Sequence, residues 1–174
     1  LEVTGPARIL GPRMEDVAEV DGRLSTNKAP GTALVALPGY LAARALAGAP
    51  SDSSLRPSLT AMRLAGATLP VLLLAVVFLR LAPEAGRSEA LFGLLFATPL
   101  LAYALLLFAH ASVAACLFGA WAALFAPARA SSGAVRELAA GALLGLAVLS
   151  ECPAAIPALV LVAVAAWGAP VRLL

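Results

Sequence analysis

From Leu64 onward the chain is a series of apolar runs parted by short polar breaks, and the lengths of those runs predict the elements. The first is "LAGATLPVLLLAVVFL", Leu64 to Leu79, closed by Arg63 and Arg80. A bilayer core about 30 Å thick takes roughly 20 helical residues, or fewer when long basic side chains lie along the lipid and lift their charge to water. This run therefore predicts a membrane helix, kinked at Pro70, as membrane helices tolerate. Next, Ala90 to Ala128 holds no formal charge. As one helix it would be about 58 Å long, nearly two bilayer cores, so it must turn. The turn is expected at "FAHAS", Phe108 to Ser112. That makes a hairpin of two spans, about Ala90 to Leu107 and about Ser112 to Ala126, with Pro99 and Tyr103 in the outer half of the first. Arg136 to Arg172 is interrupted by Glu151, Pro153 and Pro157, and predicts two short spans meeting near Glu151, or a single span with a re-entrant piece.

Ahead of these runs the pattern changes. "TALVALPGYLAARALAGA", Thr32 to Ala49, is apolar but contains Arg44, Pro38 and Gly39. It is thin for a span and is expected to lie at the outer interface, with Tyr40 at headgroup depth. Before it, "EDVAEVDGRLSTNKAPG" packs four acids, an Arg and a Lys into one segment, with turns at "VDGR" and "NKAPG". The expected fold is all-α: a polytopic transmembrane bundle of about five spans, residues 58–174, preceded by an extracytoplasmic loop and interfacial helix, residues 1–57.

Composition supports lipid as the solvent. Hydrophobic residues make up 61% of the chain and charged residues 13%, against about a quarter charged in a soluble domain. Residues 1–63 hold seven of the twelve Lys/Arg and six of the ten Asp/Glu. The net charge of +2 comes with no basic run, which argues against a nucleic-acid partner. Cys116 and Cys152 sit in apolar stretches without metal or disulfide spacing and read as small hydrophobes. The chain opens at Leu1 rather than Met, and the expectation is a fragment whose upstream membrane helix lies outside it.

Basic loops stay in the cytoplasm. Arg87, Arg129 and Arg136 fall in alternate connections, while the turns at His110 and Glu151 carry no Lys or Arg. His110 and Glu151 are therefore expected on the outer face, together with the polar loop if Thr32 to Ala49 does not span. If it spans, the loop is cytoplasmic.

An ionisable group at membrane depth marks function by default. Glu151 follows Arg136 by about 15 residues, roughly 22 Å of helix, short of the outer surface. It faces a wet cavity or a cationic partner, or it snorkels from a loop tip. His110 is a base, a phosphate donor or a polar turn residue. It is the chain's only histidine, so no metal site is predicted from histidines. A carboxylate site for a divalent cation would use Asp16, Asp21 and Glu151, though no spacing demands it. In the loop, Asp16, Glu19 and Asp21 are candidate bases or metal ligands, and Arg23 and Lys28 are candidate phosphate contacts. A solvated loop kept out of lipid by its charges accounts for the same residues.

The segment "DVAEVDGRLSTNKAPGTALVALPGYLAARAL" resembles the first extracytoplasmic loop of a group of bacterial polytopic membrane proteins, with the pattern Asp-Gly-x-x-Tyr-Ser-(Asp/Asn)-Lys-Ala-Pro-Gly before an apolar Leu-Pro helix. "FATPLLAYALLLFAHASVAACLFGAWAALF" resembles their paired spans, and "GALLGLAVLSECPAAIPALVL" their "GLAVL-x-E-Tyr-Pro" segment. The chain departs from the pattern at Leu24 and at Cys152, where aromatics are expected. The group is similar to GT-C-type glycosyltransferases. The resemblance implies sugar transfer from a polyprenyl-phosphate donor at the outer face of the bacterial cytoplasmic membrane. It implies Asp16 or Asp21 as the base that deprotonates the acceptor hydroxyl. Arg23, Asn27, Lys28, His110 and Glu151 become the substrate-binding set, with Lys28 and Arg23 on the phosphate. Implied partners are membrane lipid and the lipid-linked sugar, with the acceptor unspecified. Two readings compete: a transporter or flippase using Glu151 and His110 as a relay, and a non-catalytic scaffold packed through small residues such as "GALLG".

Overall fold

The computed structural model describes residues 17–26, 28–48, 55–127 and 133–168, in two compact units, Leu1–Pro30 and Gly31–Leu174. The first unit contains an antiparallel hairpin, β1 (Val17–Val20) and β2 (Arg23–Thr26), in register from Val17 opposite Thr26 to Val20 opposite Arg23. Its turn is Asp21-Gly22, with φ of 51° and 74°. Two consecutive positive φ values are what a two-residue hairpin needs to match strand twist, and Asp-Gly meets that need at low steric cost. The expected "VDGR" turn is present, and strands flank it.

The second unit is helical among its described residues. Its elements are α1 (Gly31–Ala47), α2 (Leu55–Arg63), a π turn (Leu64–Thr68), α3 (Leu69–Leu81), α4 (Arg87–Phe96), α5 (Leu100–Ala104), α6 (Ala109–Phe125), α7 (Gly133–Ser150), a 3-10 turn (Cys152–Ala154) and α8 (Ala155–Gly168). Leu55–Leu81 runs as one helix of 27 residues, about 40 Å. That helix and Gly133–Ser150 are the two long and apolar enough to cross a membrane among the described residues. The other apolar helices are shorter, so five full-length spans are not what the helix lengths show.

Prolines mark three local features, and each has a backbone reason. The Pro70 kink is anticipated by the π turn, in which the Leu69 N–H donates to the Leu64 carbonyl. Pro70 has no N–H to donate, and the wide turn absorbs the mismatch one residue earlier. The expected span over 90–107 is not one helix. Pro99 breaks it, and Thr98 manages the break: its Oγ1 donates to the Leu94 carbonyl at 2.6 Å and accepts from the Leu100 N–H at 3.2 Å. The turn that follows α5 is held from outside, because Thr68 Oγ1 donates to the Ala104 carbonyl at 2.7 Å. At the end of α7, Pro153 cannot donate to Leu149, and Glu151 adopts an extended conformation (φ −152°, ψ 120°) between the two helices. The expected meeting of two helices near Glu151 is observed.

Small residues set the packing. The seam of α1 is Gly31, Ala36, Gly39 and Ala43, all buried. It lies antiparallel to α2 and the π turn, with Ala36 against Gly66 and Gly39 against Ala61 and Ala65. A Cβ on Gly39 would come within 2.6 Å of the Ala61 carbonyl carbon. Such seams let backbones touch, which is how helices associate where lipid removes the hydrophobic drive between them. The outer face of α1 keeps Leu34, Leu37 and Leu41 exposed, so the helix expected to lie at an interface has one face packed on the bundle. The α6–α7 pair forms the centre. Val113, Cys116 and Ala147 pack with Ala154, and Ala120, Ala140 and Leu144 pack with Ala158 of α8. Ala67, Val71, Leu74, Leu100, Ala104 and Ala111 join α3 and α5 to α6.

Candidate functional site: a His–Glu pair at one end of the bundle

Because α6 and α7 are antiparallel, the start of one lies beside the end of the other. His110 is the second residue of α6, and Glu151 directly follows α7. His110 Nδ1 and Glu151 Oε1 lie 2.5 Å apart. The side chains are 49% and 26% exposed, so the pair is open at the bundle end rather than sealed in the core. With Nδ1–H donating to the carboxylate, Nε2 is the nitrogen left for another partner. A carboxylate holding one imidazole nitrogen fixes the ring's orientation and tautomer.

Two aromatic rings complete the surroundings. Tyr103 meets the imidazole edge-on at 4.7 Å between centroids, and Phe108 lies parallel to it at 6.3 Å. Tyr103 and Phe108 also meet edge-on at 5.9 Å. Tyr103 stands on α5, the short helix that follows the break at Pro99. Below the pair runs an open groove of about 440 Å³, lined by Leu74 and Phe78 of α3, Leu94 of α4, Leu100, and Ala114 and Phe118 of α6. His110, Tyr103 and Thr98 are its polar members, and the Thr98 hydroxyl is already committed to main chain. The groove is apolar along its length, with His110 and Tyr103 as polar groups in its lining.

The chain enters the helical unit at this same end. Gly31, the first residue of α1, lies against the Ser150 main chain and hydroxyl, one residue before Glu151. The opposite end is built differently. Arg136 Nε donates to the Ala123 carbonyl at 2.8 Å, and its Nη2 donates to the Ala126 carbonyl, capping α6. Arg87 Nε donates to the Ala82 carbonyl at 3.1 Å, after α3. Arg87 and Arg136 thus share the bundle end away from His110, the arrangement expected from the charge pattern; Arg129 lies outside the described residues.

Among the residues expected to act together, the structure pairs His110 with Glu151. Asp16 and Asn27 lie outside the described residues. Asp21, Arg23 and Lys28 are exposed in the first unit, and the turn conformation accounts for the residue type at Asp21. Among the described residues no three His, Cys, Asp or Glu side chains gather as a metal-binding set. Sequence reasoning placed Tyr103 in the outer half of the first hairpin span without making it a site residue, and it passed over the capping role of Arg136. Compared with known proteins, the chain matches no family model, no curated protein and no solved structure.

Proposed function

We propose that the chain is a multi-pass protein of the bacterial cytoplasmic membrane, and that its His110–Glu151 end faces outward and serves sugar transfer from a polyprenyl-phosphate donor, as in GT-C-type glycosyltransferases. The observation that carries the reading is a directly paired His110 and Glu151 at one bundle end, at the head of an open apolar groove. A lipid-linked donor cannot leave the bilayer, so its enzyme needs a polar site reached laterally through apolar walls. The surface supports a lipid surround. In each of the two long helices only 22% of the most apolar window is buried, whereas the core helix of a water-soluble protein hides such a stripe. Leu138, Ile156, Leu159 and Trp167 are 69–87% exposed, large apolar side chains that lipid would cover. On this reading α6 and α8 complete the membrane part together with the two long helices, and Leu55–Arg63, with α1 packed along it, rises beyond the bilayer core, since the continuous helix exceeds it by about 10 Å.

The test is transfer in proteoliposomes containing the full chain, with polyprenyl-phosphate mannose, glucose and aminoarabinose as donors. Release of polyprenyl phosphate that depends on the protein is expected for at least one donor. No release from any of them, with protein shown to be folded and inserted, rejects the reading. A relay in a transporter is the second reading, favoured by the same paired ionisable groups; proton-coupled uptake without sugar release is its distinguishing result.

A further inference from the structure

The π turn at Leu64–Thr68 absorbs the missing Pro70 donor, but Pro70 does not explain what the residues of that turn touch. Three in a row reach the segment that joins α5 to α6. A Cβ on Gly66 would stand 2.9 Å from Leu107 Cδ1. Ala67 is fully buried in one cluster with Ala104 and Ala111. Thr68 Oγ1 donates to the Ala104 carbonyl at 2.7 Å. On an α-helix three consecutive residues fan over about 200°. The wider π turn narrows that arc, so all three meet one neighbour.

The segment they meet carries the candidate site. The turn after α5 uses the carbonyls of Leu101, Ala102 and Tyr103 as acceptors for the N–H groups of Leu105 and Leu106. The Ala104 carbonyl, the last of α5, takes its hydrogen bond from Thr68 instead. The chain then runs extended through Phe108 (φ −103°, ψ 147°) into α6. Tyr103 stands just before the anchored carbonyl and His110 just after the turn, and their rings meet edge-on at 4.7 Å. We propose that Thr68 is a positioning residue for the His110 site: by pinning the Ala104 carbonyl it sets the turn between α5 and α6, and so holds Tyr103 against the imidazole. This rests on the reading of that bundle end as the site. Thr68 acts through the main chain and not on any reacting atom. Valine has nearly the same shape but no donor, so at this position it leaves a part-buried carbonyl without its partner.

The Tyr103–His110 contact is the direct test, read by NMR on the full chain in nanodiscs. The chain has one histidine and two tyrosines, so protonated His and Tyr in an otherwise deuterated Tyr40→Phe background leave one ring of each kind. A strong through-space proton cross-peak between the two rings is expected. Thr68→Val should lose most of it, and Thr68→Ser, which keeps the hydroxyl, should retain it. Thr68→Ala reads the same loss if Thr68→Val does not fold. Arg136→Leu, which loosens the opposite end, should lower the thermal midpoint and leave the cross-peak unchanged. An undiminished cross-peak in the folded Thr68→Val or Thr68→Ala chain overturns the proposal. So does its absence from the wild-type chain, or an equal loss in Arg136→Leu. In the transfer assay Thr68→Val should lower kcat by up to about 10²-fold, the cost of a small misplacement made away from the chemistry, with the KM for the donor unchanged and kcat recovered in Thr68→Ser. Wild-type kcat in a Thr68→Val chain that has lost the contact overturns the positioning role. If the wild-type chain transfers no sugar, the sugar-transfer reading falls, and the cross-peak still decides whether Thr68 holds the two rings together.

Discussion

The two ends of the helical unit use their charged side chains in opposite ways. At one end Arg136 and Arg87 are bonded to main-chain carbonyls that terminate helices: Ala123 and Ala126 for one, Ala82 for the other. A cation at a helix C-terminus satisfies carbonyls that have no partner in the helix and meets the negative end of the dipole. These arginines hold structure together. At the other end His110 and Glu151 are bonded to each other, and neither side chain caps a helix in the described residues. Ser112, Ser150 and Thr98 do the local main-chain bonding instead. The difference separates charge that completes a fold from charge held ready for something else.

That contrast can be broken from either side. The largest effect is expected where no charge is involved. Gly39→Leu puts a side chain into the Ala61 main chain, where neither helix can yield, so the α1–α2 seam should open and the folded protein should be lost in size-exclusion chromatography. A folded, monodisperse Gly39→Leu would mean α1 does not pack as described. Next comes Arg136→Leu, which removes two charge-assisted bonds while keeping an apolar stem. A loss of about 1.5–3 kcal/mol per bond is the upper expectation, read as a lowered thermal midpoint in detergent. The smallest stability effect belongs to the exposed pair: His110→Gln and Glu151→Gln should each move stability by less than about 1 kcal/mol, though activity depends on them. Equal stability losses at both ends would erase the distinction.

Much of this was legible in the sequence, and the residues show why the rest was not. The turn at Asp21-Gly22, the helices around Glu151 and the separation of His110 from Arg136 follow from local chemistry: a dipeptide suited to positive φ, a proline, and charges at intervals of one helix length. The break at Pro99 was misread because membrane helices often continue through proline. What decides the matter is Thr98, whose hydroxyl serves both sides of the gap, and Thr68, which reaches the Ala104 carbonyl from 36 residues away. Tyr103 and His110 were both placed at the outer end from the sequence, but their direct contact was not drawn. In α1, Arg44 and Pro38 made the run read as thin for a full span, along with small residues such as Gly39. Their spacing at 36, 39 and 43 also marks a packing seam, and only the partner helix reveals that.

The account stands on the two ends lying on opposite sides of a membrane, and cysteine accessibility measures this directly. With Cys116 and Cys152 replaced by Ala, single cysteines at positions 21, 110 and 137 are exposed to a membrane-impermeant maleimide in intact cells and again after permeabilisation. Positions 21 and 110 should label in intact cells, and position 137 only after permeabilisation. Labelling of 110 and 137 from the same side would contradict the account.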